Sequence, residues 1–95
     1  MDSGNRDRKK AWKQRERDSA RSEFPLPSNL LEAMFSEIEE RTGNEGCDHS
    51  HRFTKQWLAD NQQPADEVLA WLKLHGGFCD CEVVANSYDH WMQNK

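Results

Sequence analysis

The three cysteines of this 95-residue chain lie in two short segments, each with a histidine close by. The first segment reads Gly-Cys-Asp-His at residues 46–49, and the second reads Gly-Gly-Phe-Cys-Asp-Cys-Glu-Val at residues 76–83. Three thiolates and one imidazole make a complete tetrahedral set for Zn²⁺, and a closed set leaves no position for a substrate. The sequence therefore predicts a structural zinc site with four ligands, Cys47, His49, Cys79 and Cys81.

The spacing of these residues leaves other interpretations open. Cys-x-Cys also occurs in redox and metal-transfer proteins, and His51 is close enough to Cys47 to replace His49 as the ligand. Alternatively, the three cysteines are small buried packing residues and His49 is a hydrogen-bonded histidine of the core.

Residues 1–23 differ from the rest of the chain in composition. They contain eight basic and five acidic side chains, a net charge of +3, and Trp12 is their only large apolar side chain. The remaining residues contain five basic and twelve acidic side chains, a net charge of −7. We therefore expect a charged arm, flexible or helical, that joins no core. Because an acidic body repels phosphate backbones, nucleic acid would bind only through this arm.

Residues 24–95 are enough for one small domain. At this size a hydrophobic core alone contributes about 3–5 kcal/mol, and a metal or disulfide commonly adds to it. Three cysteines cannot all pair within one chain, and no apolar run is long enough for a signal peptide or a membrane span. We therefore expect a cytoplasmic protein without membrane contact, in a reducing compartment where thiols bind metal.

Apolar side chains at helical spacing predict three helices. The first begins with a cap at Ser28 or Asn29 and ends near Gly43. The second follows the first cysteine segment, and the third opens at Pro64 and ends at residues 76–77. A short turn between the second and third helices brings the two cysteine segments together. The apolar positions are Leu31, Met34, Phe35 and Ile38 in the first helix, Phe53, Trp57 and Leu58 in the second, and Val68, Leu69, Trp71 and Leu72 in the third.

The phase of the second helix bears on the choice of histidine. If this helix has begun by His49, the series His49, Phe53 and Trp57 steps by four along one face, whereas His51 projects elsewhere. The phase therefore predicts His49, and neither His51 nor His75, as the fourth ligand.

The pair of motifs resembles DUF2695, a family of short bacterial proteins known only as a domain of unknown function. The resemblance is carried by Gly-Cys-Asp-His and by the later Trp-Leu-x-x-His-Gly-Gly-Phe-Cys-Asp-Cys-Glu-Val, and it covers roughly residues 26–86. It implies a compact, mostly helical domain and implies no activity, substrate or partner. The expected organisation is a charged arm at residues 1–23, a helical zinc-binding domain at residues 24–86 and a tail at residues 87–95.

Three classes of function are compatible with this organisation. The first is a small zinc-stabilised interaction module that binds a partner protein. The second is a metal or redox sensor or carrier, in which the Cys79-Asp80-Cys81 turn loses metal on oxidation. The third is a metal-dependent enzyme with Asp48, Asp80 or Glu82 as general base, although no Ser/His/Asp arrangement, phosphate loop or cofactor fingerprint supports it. We expect the first class and no catalytic activity.

Overall fold

The computed structural model describes residues 19–95, and this part of the chain is mainly helical with no β-strand. The prediction of a small, mainly helical single domain is confirmed. Residues 28–95 form five helices rather than about three, because residues within and beyond the second cysteine segment are also helical. In chain order the elements are α1 (Ser28–Glu45), α2 (Arg52–Asp60), α3 (Ala65–Leu74), the short α4 (Asp80–Glu82), a π-helical turn (Val83–Ser87) and α5 (Tyr88–Asn94).

The first helix buries the side chains that its sequence periodicity predicts. All four predicted apolar positions of α1 are at most 1 % exposed. The helix starts directly after Pro27 and no side chain caps it, so the predicted cap at Ser28 or Asn29 is wrong. It also continues past Gly43 to Glu45, where Gly46 at φ 77° ends it and donates its N–H to the Thr42 carbonyl. Only a residue that tolerates positive φ ends a helix in this way without strain.

Helices α2 and α3 end in the same hydrogen-bonded motif. At the end of α2, Gln62 has φ 55° and the N–H of Gln63 donates to the Leu58 carbonyl at 2.9 Å. At the end of α3, Gly76 has φ 82° and the N–H of Gly77 donates to the Leu72 carbonyl at 2.7 Å. This six-residue closure satisfies carbonyl groups that a helix end otherwise leaves unpaired. It turns the chain back after each helix and directs residues 77–79 toward the start of α2.

Residues 87–95, for which we predicted a tail, continue the last helical segment and contribute to the core. Ser87 is fully buried and its hydroxyl donates to the Leu72 carbonyl at 3.0 Å. Trp91 is only 2 % exposed, and its ring lies 5.6 Å from the ring of Phe35. The steps of four from Val83 to Ser87 and Trp91 are the sequence signal of this helical face.

The structure describes the last five residues of the predicted arm, residues 19–23. In this part the guanidinium group of Arg21 donates to the carbonyl oxygens of Asn94 at 2.9 Å and Lys95 at 2.7 Å. The next residue beyond the arm, Phe24, packs edge-on against Trp71 with ring centroids 5.7 Å apart. The rest of the arm, including Trp12, lies outside the described residues. Among the helices of residues 19–95, none has the length and apolar character needed to cross a membrane.

Candidate metal centre

The sulfur atoms of all three cysteines lie within 4.8 Å of one another. Cys79 Sγ and Cys81 Sγ are 3.2 Å apart. Cys47 Sγ accepts the backbone N–H of Cys81 at 3.4 Å, across 34 residues of sequence, and also the N–H of His49 at 3.4 Å. The structure therefore brings together the three cysteines that the sequence predicted to meet.

Two hydrogen bonds join the residues that directly follow the first cysteine segment to the second cysteine segment, and they help to position the sulfur atoms. The backbone N–H of Asp80 donates to the Ser50 carbonyl at 2.9 Å. His51, only 7 % exposed, contacts the Gly77 carbonyl through Nε2 at 2.8 Å. Because a carbonyl oxygen only accepts, Nε2 carries the proton in this contact. Together these bonds fasten the two residues before α2 to Gly77 and Asp80, one on each side of Cys79.

The carboxylate of Asp80 caps helix α2 from 26 residues away. Its Oδ2 accepts the N–H of Phe53 at 3.0 Å, and its Oδ1 accepts the N–H of Thr54 at 3.1 Å and the Thr54 hydroxyl at 2.7 Å. These amides are among the first N–H groups of α2, which have no partner inside the helix. A negative charge is also stabilised at this positive end of the helix dipole. Asp80 is completely buried. Because it is distant in sequence from α2, local sequence signals did not predict this cap.

The histidines near Cys47 differ in placement. Helix α2 begins at Arg52, so the prediction that it has begun by His49 is wrong. His49 is exposed, lies in a turn with φ 67°, and its ring is not part of the cluster that the three sulfur atoms form. Its role as the fourth ligand therefore stays a prediction. His51 is held by its bond to Gly77, a polar role that the sequence pattern did not reveal.

The two better-shielded thiols have opposite tendencies to ionise. Burial raises the pKa of Cys79 to about 12. The backbone N–H of Glu82 opposes this rise, whereas the neighbouring thiols and the Glu82 side chain add to it. Burial also opposes ionisation of Cys47, but the N–H groups of Cys81 and His49 outweigh it, so the pKa of Cys47 lies below its ordinary value. Amide N–H groups that point at sulfur are typical of thiolate metal sites because they stabilise the negative charge.

The spacing of the sulfur atoms suits a thiolate-binding metal ion. With Zn–S bonds of about 2.3 Å, a tetrahedral site separates its sulfur atoms by about 3.8 Å. Cys79 Sγ and Cys81 Sγ are 3.2 Å apart and no pair of the three sulfur atoms is more than 4.8 Å apart, so these separations bracket that spacing. Glu82 lies at the edge of the cluster, where its Oε1 accepts the Cys79 thiol at 3.5 Å. The three cysteines can therefore hold a metal ion.

Comparison with known proteins places this cluster inside a recognised family segment. Residues 34–86, which include all three cysteines, match the family described as "Protein of unknown function (DUF2695)". The chain is 30% identical over 76 residues to the uncharacterized protein Mb2294 of Mycobacterium bovis and to the uncharacterized protein Rv2271 of Mycobacterium tuberculosis. Each alignment covers 80% of this chain and 77% of the relative. No solved structure matches the chain. As the motifs of its two cysteine segments predicted, the chain belongs to the DUF2695 family, whose function is unknown.

Proposed function

We propose that this protein is a zinc-stabilised interaction module whose metal ion is bound by Cys47, Cys79 and Cys81, with His49 as the fourth ligand. The observation that carries the proposal is the convergence of three sulfur atoms within 4.8 Å from two distant segments. Soft thiolate ligands favour zinc over magnesium or calcium, which prefer oxygen. A reducing compartment such as the cytoplasm is part of the proposal, because thiols stay available for metal there.

The placement of the cysteines supports a structural role for the metal. Cys47 follows the end of α1, and Cys79 and Cys81 flank Asp80, which caps the start of α2. A bound ion would therefore join the ends of three helical elements. Asp80, one of the carboxylates considered as a general base, uses both oxygens in hydrogen bonds to α2. We therefore propose no catalytic role for the site.

We propose that a partner protein binds at and beside the second cysteine segment. Leu74 is 73% exposed and Phe78 is 61% exposed, the two most exposed large apolar side chains among the described residues. Aromatic side chains such as Phe78 are enriched at protein interfaces. In this proposal the metal fixes the turn that presents Phe78, and a protein partner covers these side chains. Nucleic acid would bind only through the charged arm.

Metal analysis of the purified protein tests this proposal. The full chain is purified without affinity-tag metal or chelator, and its zinc content and free thiols are measured on one sample. We expect nearly one zinc ion per chain, with the thiols protected until a strong chelator is added. Cys47→Ser and Cys79→Ser should each lose the ion. A protein without stoichiometric metal, and with three freely reactive thiols, would refute the proposal.

Paired histidine variants test the fourth ligand. We expect His49→Ala to bind zinc more weakly, because an imidazole ligand is lost. His51→Ala should retain the metal while losing stability, because the Gly77 carbonyl loses its buried donor. Zinc affinity is measured by competition with a chromophoric chelator. The opposite pattern would assign the fourth position to His51.

A further inference from the structure

We propose that Cys79 and Cys81 form a redox-sensitive pair, in which a hydroperoxide converts the two thiols into a disulfide that releases the metal and loosens the start of α2. The metal-release part of this inference rests on the proposed zinc site, whereas formation of the disulfide does not. The structural basis is the arrangement of Cys79, Asp80 and Cys81 as three consecutive residues with different environments.

The two sulfur atoms are placed for reaction with each other. They are 3.2 Å apart, and a disulfide bond requires about 2.05 Å, so a shift of about 1.2 Å closes the bond. Cys81 is exposed to solvent, whereas Cys79 is only 4 % exposed. An oxidant from solution therefore reaches Cys81 first, and Cys79 is the nearest thiol able to attack the product.

Cys47 has different surroundings from this pair. Its sulfur accepts two backbone N–H groups, from His49 and from Cys81, which orient it as a hydrogen-bond acceptor. Such contacts favour a metal-binding thiolate. The structure therefore separates the three cysteines into one anchored ligand and one reactive pair.

The chemical steps balance with one hydroperoxide per pair. The Cys81 thiolate attacks a peroxide oxygen, the O–O bond breaks, and the leaving oxygen takes a proton to form water or an alcohol. The product is a sulfenic acid on Cys81. Cys79 then attacks this sulfur, the S–O bond breaks, and the leaving oxygen takes the proton of the Cys79 thiol and departs as water. The pair gives up two electrons, which reduce the peroxide.

Oxidation of the pair is coupled to α2 through the residue between the two cysteines. Asp80 receives three hydrogen bonds from Phe53 and Thr54 and donates its own N–H to Ser50. A disulfide that draws Cys79 and Cys81 together moves the backbone on both sides of Asp80. The cap is therefore expected to loosen when the disulfide forms.

Peptide mapping after treatment with hydrogen peroxide tests the pair directly. Full-length protein, with and without bound zinc, is treated with one equivalent of peroxide, alkylated and digested. We expect the peptide that contains Cys79 and Cys81 to lose the mass of two hydrogen atoms and to resist alkylation until a reductant is added. In the zinc-free protein, Cys47→Ser should form the same disulfide, whereas Cys81→Ser should not. A disulfide that includes Cys47, a disulfide between two chains, or no disulfide would overturn the inference.

Two further readouts separate this inference from the proposed zinc site. On zinc-loaded protein, peroxide should release the ion to a chromophoric chelator, and a thiol reductant should restore binding. Hydrogen exchange at the amides of Phe53 and Thr54 should become faster in the oxidised protein. A protein that purifies without metal yet forms the Cys79–Cys81 disulfide would refute the zinc site and support the pair. Zinc-loaded protein that retains its ion and forms no disulfide would refute the pair alone.

Discussion

Two clusters in this small domain are held together by different forces. The cysteine cluster, defined as Cys47, Cys79 and Cys81 with Asp80 and His51, joins its segments mainly through hydrogen bonds to sulfur and to a buried carboxylate. The aromatic cluster joins α1, α3 and α5 through ring contacts and apolar burial. Its rings belong to Phe24, Phe35, Trp71, His75, Tyr88, His90 and Trp91.

The difference indicates which part of the fold needs a ligand. The buried rings of Phe35, Trp71 and Trp91 gain free energy from burial and ring packing, so we expect the aromatic cluster to form without an ion. Three neighbouring thiols bury little apolar surface and gain most when a metal ion replaces their protons. We therefore predict that metal stabilises the cysteine cluster specifically, and that changes in the aromatic cluster reduce stability regardless of metal.

We expect the largest loss of stability from Trp91→Ala, a change in the aromatic cluster. The Trp91 ring is 2 % exposed and contacts the rings of Phe35 and Tyr88, so truncation leaves a large cavity in the aromatic cluster. We expect a loss of about 3–5 kcal/mol in the free energy of unfolding. Urea denaturation measures it, with Met92→Ala at a 41% exposed neighbour as the control. Equal, small losses in both variants would show that residues 87–95 do not stabilise the domain.

A smaller loss is expected from Asp80→Asn in the cysteine cluster. The amide group of asparagine matches the shape of the carboxylate. However, its NH₂ group would point at one of the two backbone N–H groups of α2 from which Asp80 now accepts a hydrogen bond. We expect a loss of about 2–3 kcal/mol, because a buried donor loses its partner together with a charge-assisted bond. The matched control is Asp48→Asn, an exposed carboxylate that accepts the N–H of Ser50 at 3.0 Å. If both variants unfold alike, the remote cap contributes little.

The next prediction concerns Gly77, whose carbonyl contacts His51 of the cysteine cluster and whose Cα faces residues of the helical core. The variant is Gly77→Ala. A Cβ atom on Gly77 would overlap the Ser87 hydroxyl and lie 2.9 Å from the Leu72 carbonyl oxygen and 3.0 Å from Val83 Cγ2. Because a backbone oxygen cannot rotate away, we expect a loss of about 1–3 kcal/mol. The control is Gly43→Ala inside α1, where no atom lies within 4 Å of the added group. That control should gain about 0.5–1 kcal/mol from better helix propensity. Thermal melting of the two variants in opposite directions confirms the prediction, and equal shifts contradict it.

The smallest effect concerns the stacked imidazoles of His75 and His90, whose ring centroids are 3.6 Å apart. Burial lowers the pKa of both groups, and the charge of His90 lowers that of His75 further, while Glu23 partly offsets this. Unfolded imidazoles therefore bind protons more readily than folded ones. The two neutral imidazoles contribute fully to the free energy of unfolding above their ordinary pKa of about 6.5. This contribution is lost as the pH falls through the lowered pKa values of the folded protein.

The variant His75→Phe isolates this contribution. It keeps an aromatic ring in the stack and removes one titrating group. We expect the wild type to lose more stability than the variant between about pH 7.5 and about pH 5.5, measured by urea denaturation of metal-free protein. Metal-free protein is used because protons also compete for thiolate ligands. Parallel pH profiles would show that the stack does not titrate within this range.

The sequence predicted the apolar faces and the meeting of the three cysteines because both depend on periodicity and short turns. The convergence of Cys47 with Cys79 follows from two antiparallel helices and a tight turn, which local signals describe well. The cap of α2 could not be predicted in the same way, because Asp80 is 26 residues from Thr54 and reaches it only in the folded chain. The start of α2 at Arg52 was missed for the same reason, since the helix begins where that cap lies.

The last helix was missed for a different reason. Trp91 lies beyond the recognised motifs, and the steps of four that lead to it from Val83 include the polar Ser87, which weakens the signal. Its burial depends on the surface that Phe35 and Tyr88 offer, and this surface exists only after α1 has packed. Isolated aromatic residues near a chain end therefore need tertiary context before their role becomes visible.

The most direct test of this account is hydrogen exchange of the full chain with and without one equivalent of Zn²⁺, measured on reduced protein under anaerobic conditions. We expect stoichiometric zinc uptake. Hydrogen exchange should become markedly slower in residues 46–54 and 78–83 and should change little in α5. Failure to take up zinc, or uptake that slows exchange in α5 as strongly as in the two cysteine segments, would contradict the claim that metal specifically stabilises the cysteine cluster.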